Sequence, residues 1–194
     1  MPSFLYDLRY LQAAVAVLQD FVFSSETYWP IGVQPPAGEP PYPQLTLGGI
    51  SLALVRAEVR ARSPEEKAQV AEIRSKIGSI FKQWRTAWGK KAAHEIRGRI
   101  TQWGNFLTDF SENPNSNYDR YNYEVFRRVI ITLLSPDAMD LSQEDQDEIN
   151  GLDKLLKSNF VPGTFIWETE LEVAFQPGLY WFLYGRLSKK MSQD

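Results

Sequence analysis

Apolar residues recur at alternating intervals of three and four positions along most of this chain. The first series contains Phe4, Leu8, Leu11, Val15, Leu18 and Val22. Because an α-helix makes one turn every 3.6 residues, such a series lies on one face of a helix, and that face is buried by packing against other helices. The spacing predicts a first helix from Phe4 to about Ser24, with the Ser3 hydroxyl as its N-cap.

A longer series predicts a second helical region over residues 64–111. Its start is Ser63-Pro64-Glu65-Glu66, which combines an N-cap serine, a proline at the first helical position and a glutamate three residues after the cap. The apolar positions that follow are Val70, Ile73, Ile77, Ile80, Trp84, Trp88, Ile96, Ile100, Trp103, Leu107 and Phe110. The region is either one long helix bent near Gly89 or two helices joined there, and Asn113-Pro114-Asn115 ends it.

Three shorter series predict further helices. One covers about Leu47 to Ala61, with Leu47, Ile50, Leu54 and Val55 facing inward. Another is capped by Asp119 or Asn122, buries Val125, Phe126, Val129, Ile130, Leu133 and Leu134, and ends at Ser135-Pro136. The third begins at Ser142, carries acidic residues in its first turn and buries Ile149, Leu152, Leu155 and Leu156.

Two segments break this helical pattern. Six prolines and two glycines fall between Tyr28 and Pro43, which predicts an extended loop over about 28–45. Its aromatic ends, Tyr28-Trp29 and Tyr42, indicate that the loop is laid across the core. Residues 165–175 fit both a strand and a helix, and we favour a short helix or an irregular segment because a lone strand lacks a partner.

The aromatic C-terminal segment, about 160–190, ends in a predicted turn of helix at Leu179 to Leu187, after a break at Pro177-Gly178. Within it, residues 180–184 read Tyr-Trp-Phe-Leu-Tyr, which is too apolar to remain in water. The segment therefore either folds back on its own core or docks on another molecule, and we favour folding back.

Composition narrows the class of protein. Of the 194 residues 43% are hydrophobic and 23% are charged, which is typical of a single globular domain, so we expect one domain over 1–194. The chain has no cysteine and one histidine, His94, which excludes disulfides, cysteine-ligated metals and a two-histidine metal site within the chain. No secretory signal or membrane span is visible, so we expect a cytoplasmic protein without a membrane partner.

Charge is segregated along the chain although its formal net value is only −3. Residues 80–103 carry six basic side chains and one acidic one, a balance of +5. Residues 136–153 carry seven acidic side chains and no basic one. These stretches would attract each other, either within one chain or between two.

No catalytic motif is present. His94-Glu95 lacks the second histidine of a zincin motif, and Glu168, Glu170 and Glu172 beside Trp167 are expected to form a charged outer face. We therefore expect no catalytic, cofactor or metal residues. The alternative of a small hydrolase that uses carboxylates or His94 stays open.

Together these patterns predict an all-α fold, an irregular bundle of about five to six helices with the proline-rich loop packed across it. The expected function is that of a non-enzymatic interaction or adaptor protein that binds another protein or itself. Nucleic-acid or other polyanion binding by the basic 82–99 face is the alternative. The candidate binding residues are Lys82, Arg85, Lys90, Lys91, Arg97, Arg99, Tyr180, Trp181, Tyr184 and Arg186.

Overall fold

The computed structural model describes residues 2–188 and is mostly helical, which confirms the predicted fold class. Residues 189–190, the end of the predicted aromatic segment, lie outside the described residues. Among the described residues, no helix is both long enough and apolar enough to cross a membrane. The helices are α1 Phe4–Phe23, α2 Leu47–Arg60, α3 Pro64–Gln83, α4 Arg85–Glu112, α5 Pro114–Asn117, α6 Tyr121–Glu124, α7 Phe126–Leu134 and α8 Gln143–Ser158. The remaining elements are strands β1 Phe160–Phe165 and β2 Tyr184–Leu187 and the 3₁₀ segments Tyr118–Arg120, Thr169–Ala174 and Trp181–Leu183.

Side-chain caps fix the start of four helices. The Ser3 hydroxyl accepts the Tyr6 amide at 3.1 Å, and Thr46 accepts the Gly49 amide at 2.9 Å. Ser63 and Ser142 each form a reciprocal capping box with the residue three positions later. The caps predicted at Ser3, Ser63 and Ser142 are therefore confirmed, because each hydroxyl satisfies an amide that has no partner inside the helix.

Contacts divide the described chain into two compact units. The first unit comprises residues up to 95 together with Leu133–Asp140, and the second comprises Ile96–Thr132 and the residues from Leu141 onward. Helices α4 and α7 each contribute residues to both units.

The first unit is built on α1, which packs against α2 and α3. Its buried stripe includes Leu8, Leu11, Leu18 and Val22 as predicted, whereas Phe4 and Val15 are only half-buried. On α2, Leu47 and Ile50 are buried as expected, but Leu54 and Val55 are half-buried, and Leu52, Ala53 and Ala57 are buried instead. The reason is that α2 packs on neighbours on more than one side, so its buried face is wider than one stripe.

A buried ion cluster holds α1 to α2. Asp7 is completely buried, and its Oδ1 accepts from Arg56 Nη2 at 2.5 Å while its Oδ2 accepts from Arg60 Nη1 at 3.1 Å. Burial raises the pKa of Asp7 above its ordinary value, although the hydrogen bonds and charges of Arg56 and Arg60 act to lower it. A second buried carboxylate, that of Glu95, accepts the Gly48 amide at 3.0 Å at the positive N-terminal end of α2.

The proline-rich loop is strapped across α1, as its aromatic ends predict. Trp29 and Leu45 exchange backbone hydrogen bonds of 3.0 and 2.8 Å, which bring the two ends of the loop together. The Tyr42 hydroxyl donates to the Tyr6 carbonyl at 3.1 Å, and the Tyr6 hydroxyl donates to the Pro41 carbonyl at 3.2 Å. Trp29 and Tyr42 are half-buried, whereas Tyr28 is exposed and does not reach the core.

Residues 64–112 form two helices, and the predicted joint near Gly89 is wrong. The break lies at Trp84, whose φ of −121° and ψ of 35° leave the helical region. Gly89 lies inside α4. It is a glycine because the loop residue Met139 packs against it, and the sequence alone could not distinguish that reason from a helix end.

The second unit has its core around Trp103. Its largest completely or almost completely buried side chains are Trp103, Phe106, Phe110, Tyr121, Phe175 and Phe182. On α8, Ile149 and Leu156 are buried and Leu152 is half-buried, but Leu155 is 36% exposed, against the prediction. Neither Asp119 nor Asn122 caps a helix, because Tyr118–Arg120 forms a 3₁₀ turn that leads directly into α6.

The C-terminal segment contains a small antiparallel sheet that the sequence pattern did not predict. Strand β1 pairs with β2 from Phe160 opposite Leu187 to Phe165 opposite Tyr184, with an irregularity between Pro162 and Phe165. The turn of helix expected over Leu179 to Leu187 is present only as the 3₁₀ segment Trp181–Leu183, and Tyr184–Leu187 is a strand instead. A strand signal is weak here because β1 includes Pro162 and Gly163, and β2 has only four residues. In 165–175, the favoured short helix is present as the 3₁₀ segment Thr169–Ala174.

Candidate interaction surface

The six basic candidates of the 82–99 stretch do not share one surface environment. Lys82, Arg85 and Lys90 are exposed, whereas Lys91 and Arg99 are almost fully buried. Arg97 is exposed but forms an ion pair with Asp145, with Nη2 and Oδ2 3.0 Å apart. The free basic surface is therefore smaller than the sequence suggests.

Lys91 anchors the end of α1. Its ammonium donates to the Ser24 carbonyl at 2.9 Å, to the Ser24 hydroxyl at 3.2 Å and to the Glu26 carbonyl at 2.8 Å, and it lies 4.3 Å from the centre of the Phe21 ring. Burial lowers the pKa of Lys91, while the charges of Glu26 and Glu95 act to raise it. A cation at this place satisfies carbonyls at the negative end of the helix, which is a structural task.

Arg99 belongs to a cluster in the second unit. Its Nη1 and the Nε of Arg127 both donate to the Gln102 side-chain oxygen, at 3.4 and 3.2 Å. Both guanidinium groups also lie over the Phe126 ring, 5.5 and 5.0 Å from its centre. The neighbouring Tyr123 is 69% exposed, and its ring lies 5.6 Å from that of Phe126.

The acidic 136–153 stretch meets the basic stretch at Arg97. Asp145 accepts from Arg97 Nε at 3.2 and 3.1 Å and also caps α8, because its Oδ2 accepts the Ser142 amide at 2.9 Å. The hydrogen bond from Arg97 lowers the pKa of Asp145, and Ser142 acts in the same direction. The predicted attraction between the two stretches is therefore present within one chain at this pair.

The C-terminal aromatic residues fold back on their own chain, as favoured. Tyr180 is buried, Trp181 and Tyr184 are half-buried, and Arg186 remains exposed. The Tyr184 hydroxyl donates to the Phe175 carbonyl at 2.8 Å, and the Trp181 ring lies 5.3 Å from that of Phe160. These aromatic candidates thus contribute mainly to the core of the second unit.

A pair of aromatic rings stands at the surface of the first unit. Phe23, the last residue of α1, is 55% exposed, and its ring lies edge-on to that of Trp84, with centroids 4.8 Å apart. Trp84 is half-buried, and its indole N–H has no acceptor among the described residues. Lys82 and Arg85 flank Trp84 in the chain and are exposed. We call Phe23, Trp84, Lys82 and Arg85 the aromatic-basic surface.

Sequence reasoning found the basic half of this surface and missed Phe23. A signal was present, because Phe21-Val22-Phe23 are three successive apolar residues. Successive helical positions are about 100° apart, so three of them cover too wide an arc to face one narrow buried stripe. Phe21 and Val22 are buried, which leaves Phe23 outward.

Most of the residues considered for catalysis reach solvent. His94 and Glu170 and Glu172 are exposed, and Glu168 is half-buried. A shallow groove of about 150 Å³ is lined by Glu58, Ala61, Lys67, Val70, Ala71 and Arg74, and it includes neither His94 nor those glutamates. Within residues 2–188, no group of three or more metal-binding side chains is arranged around a common point.

Comparison of this chain with protein-family models, curated proteins and solved structures gives no match. Function is therefore inferred from side-chain placement. Of the surfaces described, the aromatic-basic surface combines an exposed ring, that of Phe23, with exposed cations from the predicted set, Lys82 and Arg85.

Proposed function

We propose that this protein is a non-enzymatic interaction protein that binds a protein partner, either another protein or a second copy of itself, through its aromatic-basic surface. The observation that carries the proposal is the Phe23–Trp84 pair, two adjoining rings of which one is 55% exposed. Complete burial of a large apolar side chain stabilises a structure by about 1.5–3 kcal/mol, so water contact at Phe23 forgoes part of that gain. A partner that covers the pair would recover it.

The chemistry of the surface also supports protein recognition. Tryptophan, tyrosine and arginine dominate the residues whose truncation weakens protein interfaces most, and phenylalanine is enriched there as well. Here Trp84 is followed directly by Arg85. The exposed charges of Lys82 and Arg85 at the rim favour a partner with acidic residues, mainly by steering its approach and orientation.

The positions of the basic side chains give less support to polyanion binding. A backbone of phosphates is bound by a continuous basic surface whose cations reach solvent. Lys91 and Arg99 are buried and Arg97 is paired with Asp145, so half of the predicted basic residues are engaged within the chain.

We also retain the cytoplasm as the proposed location, because a chain without cysteine needs no oxidising compartment.

The proposal is tested with a displayed library of helical peptides selected against the folded protein. We expect enrichment of peptides that combine an aromatic or leucine anchor with acidic residues, and a loss of affinity of about tenfold or more for Phe23→Ser. The matched control is Leu179→Ser, since Leu179 is 60% exposed in the second unit. Selection of no peptide, or peptides that bind wild type and Phe23→Ser equally, would contradict the proposal.

A further inference from the structure

Helix α8 carries a second, outward stripe in addition to its buried one. Glu144, Glu148, Gly151 and Leu155 follow each other at intervals of four, three and four, and all four are exposed. At 100° per residue this stripe lies about 100° around the helix from Ile149, Leu152 and Leu156, the inward residues. We call these four exposed residues the α8 stripe.

The α8 stripe is acidic at its N-terminal end, has no side chain at its centre, Gly151, and is apolar at its C-terminal end, Leu155. Glu144 and Glu148 make no ion pair within the described part of the chain. A Cβ atom placed on Gly151 would meet nothing within 4 Å, so the helix backbone can be approached closely there. Leu155 completes the stripe about 17 Å from Glu144, as the rise of 1.5 Å per residue requires.

We propose that the α8 stripe of one copy docks on the aromatic-basic surface of a second copy. The inference rests on the proposed function and names its partner. Charge complementarity carries it, because Glu144 and Glu148 match Lys82 and Arg85, and Lys82 likewise makes no ion pair within residues 2–188. Leu155 supplies the apolar group that covers Phe23. The open backbone at Gly151 allows the rings to approach the helix.

The two surfaces differ, so the contact is heterologous. A contact of this kind joins copies head to tail and produces rings or open chains. Exposed charges contribute through orientation and are screened by salt, so self-association must weaken as the ionic strength rises. It must also grow with protein concentration.

Reversing charges tests the pairing of surfaces. For the wild-type protein at about 50 mM salt, sedimentation velocity is expected to show an average mass that rises with protein concentration. At about 500 mM salt the mass should return to that of the monomer. Lys82→Glu/Arg85→Glu makes both surfaces acidic, and Glu144→Lys/Glu148→Lys makes both basic. Each double variant alone should stay monomeric.

The decisive sample is the equimolar mixture of the two double variants. Each reversed surface then faces its complement on the other variant, so association should return to within about threefold of the wild-type constant. That recovery also shows that both variants are folded. A mixture that stays monomeric, or a double variant that associates as wild type does, would overturn the proposal.

One outcome separates this inference from the proposed function. If wild type is monomeric at every concentration while library peptides still bind at Phe23, self-association is wrong and the interaction surface stands. A second result is possible, in which no peptide binds at Phe23 but the equimolar mixture recovers association. If adding Phe23→Ser to the variants does not weaken that association, the charges pair without the aromatic rings. That result overturns the proposed function and the apolar part of this inference.

Discussion

Met139 fills the space in which a side chain at residue 89 would begin. A Cβ atom placed on Gly89 would lie 2.3 Å from Met139 Cγ and 2.9 Å from both its Cβ and its Sδ. The Met139 amide also donates to the Gly89 carbonyl at 3.1 Å. The segment Leu133–Asp140 is thus fastened to the second turn of α4 within the first unit.

Gly89→Ala is expected to lower the free energy of unfolding by up to about 2 kcal/mol. Alanine in place of glycine normally stabilises a helix by about 1 kcal/mol, but the overlap with Met139 costs about 1–3 kcal/mol and the Met139 Cβ cannot rotate away. Urea unfolding monitored by circular dichroism measures the change.

The control for Gly89 lies in the same helix. Gly98 has nothing within 4 Å of an added Cβ, so Gly98→Ala should stabilise the protein by about 0.5–1 kcal/mol. Adding Met139→Ala to Gly89→Ala removes the overlap with Met139 Cγ and Sδ but leaves the close contact with Cβ, so it should recover part of the loss. Equal effects of Gly89→Ala and Gly98→Ala would show that Met139 is not packed against the helix.

Lys91→Met is expected to destabilise the protein by about 1–3 kcal/mol, because the carbonyls of Ser24 and Glu26 lose a charged donor in a partly buried place. The neighbouring Lys90 is exposed, so Lys90→Met should change the free energy of unfolding by no more than about 0.5 kcal/mol. Urea titration compares the two variants. A similar effect of both would mean that Lys91 is a surface lysine.

Tyr121→Phe is expected to cost about 1–2 kcal/mol. The buried Tyr121 hydroxyl donates to the Phe182 carbonyl at 2.5 Å, and its loss leaves that carbonyl without this donor inside the core. The same substitution two residues later, Tyr123→Phe, should be neutral because Tyr123 is 69% exposed. Thermal unfolding of the two variants measures the difference, and equal midpoints would contradict the described placement of the C-terminal segment.

Asp145 gives a pH-dependent prediction. Arg97 lowers the pKa of Asp145 in the folded protein, so the ionised carboxylate stabilises the fold at any pH above its unfolded value of about 3.9. That contribution is lost as the pH falls through the lowered folded pKa. Asp145→Asn should therefore cost about 1 kcal/mol at pH 7, and this cost should shrink as the pH falls below about 3.9.

Urea unfolding between pH 2 and pH 7 measures that difference. Glu148→Gln is the control on the same helix, since Glu148 makes no ion pair within the described residues and should give a small, flat difference. A cost of Asp145→Asn that is unchanged at pH 2 would show that the Arg97 pairing does not stabilise the folded state.

Several features of the fold were readable from local sequence. The start of α1 at Ser3, of α3 at Ser63 and of α8 at Ser142 follows from a hydroxyl next to a run of apolar periodicity. The proline-rich loop follows equally, because prolines exclude helix wherever they cluster. At the candidate surface, the charges of Lys82 and Arg85 were predicted, but the exposed ring of Phe23 was not.

Features that depend on distant residues could not be predicted. Nothing in the sequence near Gly89 and Gly98 distinguishes them. In the fold, Met139 packs where a side chain at residue 89 would lie, whereas the space beside Gly98 is open. Lys90 and Lys91 are neighbours, and only the end of α1 at Ser24 separates a surface lysine from a buried one. The pairing of β1 with β2 joins residues 19 to 27 positions apart and has no local signal.

The sequence by itself determined the main helical segments, the starts of α1, α3 and α8, and the lack of cysteine chemistry. Periodicity and capping act between residues a few positions apart, and composition does not depend on the fold at all. The tertiary structure decided which charges are buried, which aromatic rings reach solvent, and where the long helical region breaks. Those outcomes depend on which residues, distant in the sequence, pack against each other in the fold. Asp7 shows the difference: the sequence gives it an ordinary position in a helix, and Arg56 and Arg60 make it the buried centre of an ion cluster.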